Sequence, residues 1–135
     1  MYSEILQQEL LFKADGHERL IVFRQSYKMA MEIFKISKTF PKEEKYSLTD
    51  QVRRSSRSVC CNIGEGYRKR IYPKSFSSKM VDSDGECTET IIHLRFAMDC
   101  EYIEEKTYQY FITSYSEVGR MLNEMINHPE KFLPK

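Results

Sequence analysis

Seven positive side chains fall within 22 residues, at Arg53, Arg54, Arg57, Arg68, Lys69, Arg70 and Lys74. Guanidinium and ammonium groups at this density suit phosphate contact, since each donates hydrogen bonds to a phosphodiester oxygen and neutralises its charge. Tyr67 and Tyr72 interleave with them and offer ring faces on which bases could stack. The competing use of the same charges is internal. Arg53 and Arg57 stand four residues apart, and Glu65, Glu86 and Glu89 supply carboxylates that could pair with them across neighbouring helices. The whole chain of 135 residues carries a net charge of only +1. Any polyanion binding therefore rests on this local cluster, or on its repetition by symmetry, and not on a bulk field.

Other chemistries lack their groups. A di-iron bundle needs glutamates on two helices and Glu-x-x-His on each of the other two. Of the three histidines, His93 alone falls in a helical pattern, and it follows Glu89 by four residues. The four cysteines, Cys60, Cys61, Cys87 and Cys100, form no Cys-x-x-Cys pair for zinc. They lie inside helical patterns, where small apolar fillers are expected and a disulfide framework is not. Asp-Ser-Asp-Gly-Glu at 82–86 has the look of a calcium loop, but its twelfth position is His93, where a bidentate glutamate is required. There is no Gly-x-Ser-x-Gly elbow and no glycine-rich phosphate loop. The expectation is a protein without catalytic residues, metal or cofactor, acting by binding and not as an enzyme. No apolar run is long enough to span a bilayer, and the N-terminal residues lack the basic start and apolar stretch of a signal peptide. A cytoplasmic protein is expected.

The elements that must carry these residues follow from apolar spacing. A first helix is predicted from about Arg19 to Phe40, with a seam at Leu20, Phe23, Tyr27, Ala30, Phe34 and Ser37, ended by Pro41. Ser47 is a natural N-cap, with Asp50 three residues on approximating a capping box. The second seam is Leu48, Val52, Ser55, Val59, Ile63 and Gly66. Pro73 suits the first turn of a third helix, with Phe76, Met80, Ser83, Cys87, Thr90, Leu94 and Ala97 in register to about Tyr102. A fourth runs from Glu104 to Asn127 through Tyr108, Phe111, Tyr115, Val118, Leu122 and Met125, and Pro129 stops it. Long helices and short connections make antiparallel neighbours, so the fold class is all-α, an up-and-down antiparallel four-helix bundle. Residues 1–18 are expected as an N-terminal arm, frayed unless Leu-Leu-Phe at 10–12 makes a docked turn, 19–128 as the bundle and 129–135 as a tail.

The second helix is rich in small side chains: Ser55, Ser56, Ser58, Cys60, Cys61, Gly64 and Gly66. Serine and glycine cost helix propensity, so close approach by another helix must offset them. That helix could belong to the same chain or to another subunit.

Four motifs are distinctive: Ser-Lys-Thr-Phe-Pro at 37–41, Ser-Leu-Thr-Asp-Gln-Val-Arg-Arg-Ser-Ser at 47–56, Ser-Val-Cys-Cys-Asn-Ile-Gly-Glu-Gly at 58–66 and Gly-Glu-Cys-Thr-Glu at 85–89. Through them the chain resembles, over about residues 20–127, the bacterial four-helix bundle family of 23S ribosomal RNA intervening-sequence proteins. The chain departs from the family's pattern at Gly64, where alanine is usual, at Glu86, where serine is common, and at Asp84, where a smaller or apolar residue is usual. The resemblance implies a left-handed up-and-down bundle assembling as a homopentamer, with no established catalytic activity. A related branch is the accessory variability determinant of diversity-generating retroelements, a basic pentamer that binds nucleic acid and a reverse transcriptase; this chain is far less basic. Arg53, Asn62, Glu65, Gly66 and Glu89 match the family's polar pattern, which makes Arg53, Asn62, Glu65 and Glu89 a candidate structural polar network. Two readings stay open. One is an RNA-associated module using Arg53, Arg54, Arg57, Arg68, Lys69 and Arg70. The other is a protein-interaction scaffold in which those cations sit in salt bridges.

Overall fold

The computed structural model describes residues 10–134. There are four helices, α1 (Ile21–Ser37), α2 (Leu48–Arg68), α3 (Pro73–Asp99) and α4 (Glu105–Asn127), with short 3-10 turns before α1 at Gly16–Arg19, between α1 and α2 at Lys42–Glu44 and after α4 at Pro129–Phe132. They form a closed square in which α1 packs on α2 and α4, and α3 packs on α2 and α4. Cross-helix hydrogen bonds fix the antiparallel sense. Ser83 donates to the Val59 carbonyl at 2.8 Å while Thr90 donates to Ser55 at 2.8 Å, so α3 ascends as α2 descends. Ser77 donates to the Ile126 carbonyl at 3.2 Å, tying the start of α3 to the end of α4.

The seams expected for α2, α3 and α4 are buried at every position. In α1 the seam is different. Tyr27 is exposed and Phe34 half-buried, while Val22, Ser26, Met29, Glu32 and Ile33 are buried beside the expected Phe23, Ala30 and Ser37. A helix gripped by two neighbours buries a face wider than one stripe, and the residues flanking the stripe decide where that face is centred. Tyr27 is instead covered by Phe12, whose ring meets it edge-on at 5.6 Å.

Helix boundaries differ for local reasons. α1 starts two residues later than expected because Leu20 is extended and the residues before it form a separate turn. It stops at Ser37, three residues short of Phe40, through 3-10 bonds that close before Pro41. Ser47 does not cap α2 with its hydroxyl; the Glu44 carboxylate accepts from both the Ser47 hydroxyl and the Leu48 amide, the latter at 3.3 Å. Tyr102 donates to the other oxygen of Glu44 at 2.9 Å, joining this N-terminus to the α3–α4 turn. α3 ends when Glu101 turns left-handed at φ 65, and the Tyr102 amide reaches back to the Ala97 carbonyl at 2.8 Å.

The flanking segments dock on the bundle where they are described. Phe12 and His17 both meet Phe23 edge-on, and Phe132 stacks on Phe76 at 5.6 Å. Residues 10–18 therefore do not form a frayed arm; residues 1–9 lie outside the described part. Cys60 and Cys87 fill the core as expected, and burial pushes the Cys60 thiol up to about 11 and Cys87 higher still, which keeps both protonated. Cys61 and Cys100 are exposed and fill nothing. Among the described residues no helix is long and apolar enough to cross a membrane.

Candidate nucleic-acid interface

The basic residues divide into two groups with different surroundings. The first lies along the flank of α2. Arg53 reaches the end of α1, donating through Nε to the Ser37 hydroxyl at 2.8 Å and through Nη2 to the Phe34 carbonyl at 3.4 Å. Its guanidinium stands 4.8 Å from the Phe34 ring centre, and that of Arg57 stands 5.7 Å from it. Burial, and secondarily the Arg57 charge, lower the Arg53 pKa from the ordinary arginine value. Arg53 thus satisfies one late carbonyl and a side-chain hydroxyl of α1, at the negative end of that helix, which leaves little of it for a ligand. Arg54 is exposed, hydrogen-bonded to Gln51 at 2.9 Å and paired with Glu89 at 3.7 Å.

The four residues of the polar pattern do not form one network. Arg53 caps α1; Glu65 pairs with Lys79 at 2.9 Å; Glu89 lies between Arg54 and His93, the latter at 3.4 Å. Asn62, half-buried on the same helix, joins none of these pairs. Glu65 and Glu89 therefore meet cations other than Arg53 because α2 presents Arg53 towards α1, whereas both carboxylates sit on the α3 side. The Lys79 hydrogen bond holds Glu65 below its usual pKa, whereas burial and then the Glu89 charge raise that of Glu86. One Glu86 carboxylate oxygen is buried without a hydrogen-bond partner.

The second group gathers at the α2–α3 end of the bundle. Arg68 and Lys69 are exposed, Arg70 is half-buried and Lys74 is exposed in the first turn of α3. Antiparallel packing brings the start of α1 to the same end, and with it Arg19. Among the described residues, no ion pair joins Arg19, Arg68, Lys69, Arg70 or Lys74 to a carboxylate, although Lys69 lies near enough to Glu65 to influence its charge. Arg19 was not a sequence candidate. Its signal was topological: in an up-and-down bundle the residue before α1 shares an end with the α2–α3 turn.

Tyr67 does not serve as a stacking platform. It is only 7% exposed, and its ring is flanked by Arg19 at 5.8 Å and Arg70 at 4.1 Å. Tyr72, 63% exposed, keeps its ring in solvent.

The sequence profile described as "23S rRNA-intervening sequence protein" matches residues 18–124. Among solved structures, the chain is similar to a protein of unknown function from the S23 ribosomal protein family of Bacteroides thetaiotaomicron, with a TM-score of 0.71 and 25% identity, over 78% of this chain and 98% of that one. No curated protein matches. The profile spans all of α1, α2 and α3 and most of α4, including the motifs that carry Arg53, Asn62, Glu65 and Glu89, and on that match the chain belongs to the 23S rRNA-intervening sequence protein family.

Proposed function

We propose that this protein acts by binding and not by catalysis, self-associates, and touches RNA phosphates with the basic α2–α3 end. The observation that carries this reading is the division of the cations. Arg53 and Arg54 are engaged on the flank by Ser37, Phe34 and Glu89, whereas Arg68, Lys69, Arg70, Lys74 and Arg19 share one end with no carboxylate partner among the described residues. The family's description, with its reference to 23S rRNA, adds weight to RNA over another polyanion.

The test is fluorescence anisotropy with a labelled RNA oligonucleotide across a salt series. Arg68→Glu with Lys69→Glu should weaken binding and lower the salt slope by about 2, since each of the two phosphates no longer neutralised takes about one unit from it. Arg54→Glu should change it far less. Equal effects of both changes, or no binding at low salt, would overturn the reading.

A second reading, a protein-interaction scaffold with no nucleic-acid role, is favoured by the outer face of α3. Val81, Ile92 and Phe96 recur there at helical spacing and are 52%, 50% and 58% exposed. Self-association, with the pentamer that the family resemblance implies, would use such a face. Light scattering should give a multiple of 16.1 kDa, near five, reduced by Ile92→Glu with Phe96→Glu. A wild-type monomer would remove self-association from either reading.

A further inference from the structure

The geometry points to a phosphate-group site formed by Arg19 and Arg70, both held by a common support, Tyr67, at the basic end; it rests on the RNA reading and deepens it. Both guanidinium carbons lie within 5.8 Å of the centre of the Tyr67 ring, so they are at most about 10 Å apart, near one Debye length at physiological salt. Both charges lack a carboxylate partner among the described residues, so an anion placed between them gains from each.

The support is specific. Arg19 donates through Nε to the Tyr67 hydroxyl at 3.1 Å. Arg70 donates through Nη1 to the Tyr67 carbonyl at 3.0 Å. One nitrogen of each guanidinium is thus spent on fixing its orientation. The other two nitrogens of each have no partner among the described residues, a donor set suited to the oxygens of a phosphate ester. Tyr67 itself is buried, so the pair is held by a side chain that packing fixes in place. Lys69 and Lys74 add charge nearby. The first turns of α1 and α3, which open at this end, contain no acidic residue, whereas those of α2 and α4 carry Asp50 and Glu105. Their positive helix ends reinforce the field without making a site by themselves.

Tyr67 is a positioning residue here: its hydroxyl aims Arg19 and its ring carries both cations. The ligand is the terminal or backbone phosphate of an RNA strand, and inorganic pyrophosphate carries the same chemistry in a form that needs no RNA.

The experiment follows the thermal midpoint and calorimetric binding of the full chain with sodium pyrophosphate, against sodium chloride at equal ionic strength. Pyrophosphate should raise the midpoint and chloride should not. Arg19→Gln and Arg70→Gln should each weaken pyrophosphate binding about tenfold, and the pair should abolish it. Tyr67→Phe keeps the ring but frees Arg19; it should weaken pyrophosphate binding while leaving the midpoint without ligand nearly unchanged. Wild-type pyrophosphate affinity in the double Gln variant, or an equal response to chloride, would overturn the site. The RNA arm separates this idea from the broader one. RNA binding that survives Arg19→Gln with Arg70→Gln but fails with Arg68→Glu and Lys69→Glu would sink the paired-arginine site and keep the RNA reading. Pyrophosphate binding that is lost with Arg19→Gln and Arg70→Gln, in a protein without RNA affinity, would keep the site and sink the RNA reading.

Discussion

Glu32 is fully buried in α1, where the hydroxyl of Tyr110 on α4 donates to its two oxygens at 3.0 and 2.9 Å. Burial raises its pKa, against the Tyr110 hydrogen bond and the Lys28 charge, which lower it. The native state therefore holds this proton more tightly than the unfolded chain does. Its stabilising effect is complete below the unfolded value of about 4.5, fades as pH rises through the higher folded value, and stays lost above it. Glu32→Gln should remove that fade, leaving a protein whose stability depends less on pH than the wild type's between about pH 4.5 and 7. Tyr110→Phe should cost about 1–3 kcal/mol, because it strips a buried carboxyl group of a hydrogen-bond donor. Urea unfolding at the two pH values measures both, and an unchanged pH dependence in Glu32→Gln would refute the role given to burial. Nothing in Met-Ala-Met-Glu-Ile-Phe marks this glutamate as internal, for its partner lies 78 residues away. Arg68, Lys69 and Arg70 were legible because charge density is a local property. Arg19 and the support of Tyr67 were not, because they need the antiparallel packing to meet.

At the scale of the element, the small residues of α2 serve more than one neighbour: Ser55 meets Thr90 and Gly66 meets Lys79 and Met80 on α3, whereas Cys60 meets Ser26 on α1. Ser55, Ser56, Cys60 and Gly66 are buried, and a Cβ at Gly66 would lie 2.3 Å from the end of the Met80 side chain and 2.9 Å from the Lys79 Cβ. Met80 can yield, but the Lys79 Cβ moves only with its backbone. Gly66→Ala should therefore destabilise by roughly 1–3 kcal/mol through overpacking. Gly64 is the opposite case, since a Cβ there meets only the His17 ring at an ordinary 3.7 Å. Gly64→Ala should stabilise by about 0.5–1 kcal/mol through helix propensity. Guanidinium unfolding of the two variants checks the contrast, and effects of the same sign would contradict it. The seams of α3 and α4 were legible in full, since they bury the expected residues and no others, whereas α2 buries Thr49, Ser56, Cys60 and Tyr67 besides its expected seam. In α1 the aromatic residues Tyr27 and Phe34 mimic a core stripe but take their cover from Phe12 and from Arg53 and Arg57. The cap of α2 was misread for a similar reason: Ser47 has the favoured side chain, but its hydroxyl donates to Glu44, which itself accepts from the first amide of the helix.

For the whole molecule, the square has three seams between helices consecutive in sequence and one, α1–α4, that joins the first helix to the last. This last seam is also the least extensive. It combines the largest loop-closure entropy with the smallest packing, so it is the seam that should open most readily. Native-state hydrogen exchange should find the core amides of α2 and α3 slowest and those of α1 faster; α1 amides as slow as those of α2 would exclude this order. The same geometry leaves the start of α1 and the end of α4 at one end of the bundle, where Leu20 and Ile21 share a groove with Met125 and Phe132. Circular permutation follows naturally. A short bridge from the end of α4 to the start of α1, with new termini opened at the turn around Glu101, would make α1–α4 a hairpin. Closure would then fall to the larger α3–α4 seam, so that covalent connection supports the weakest contact and packing alone must hold a stronger one.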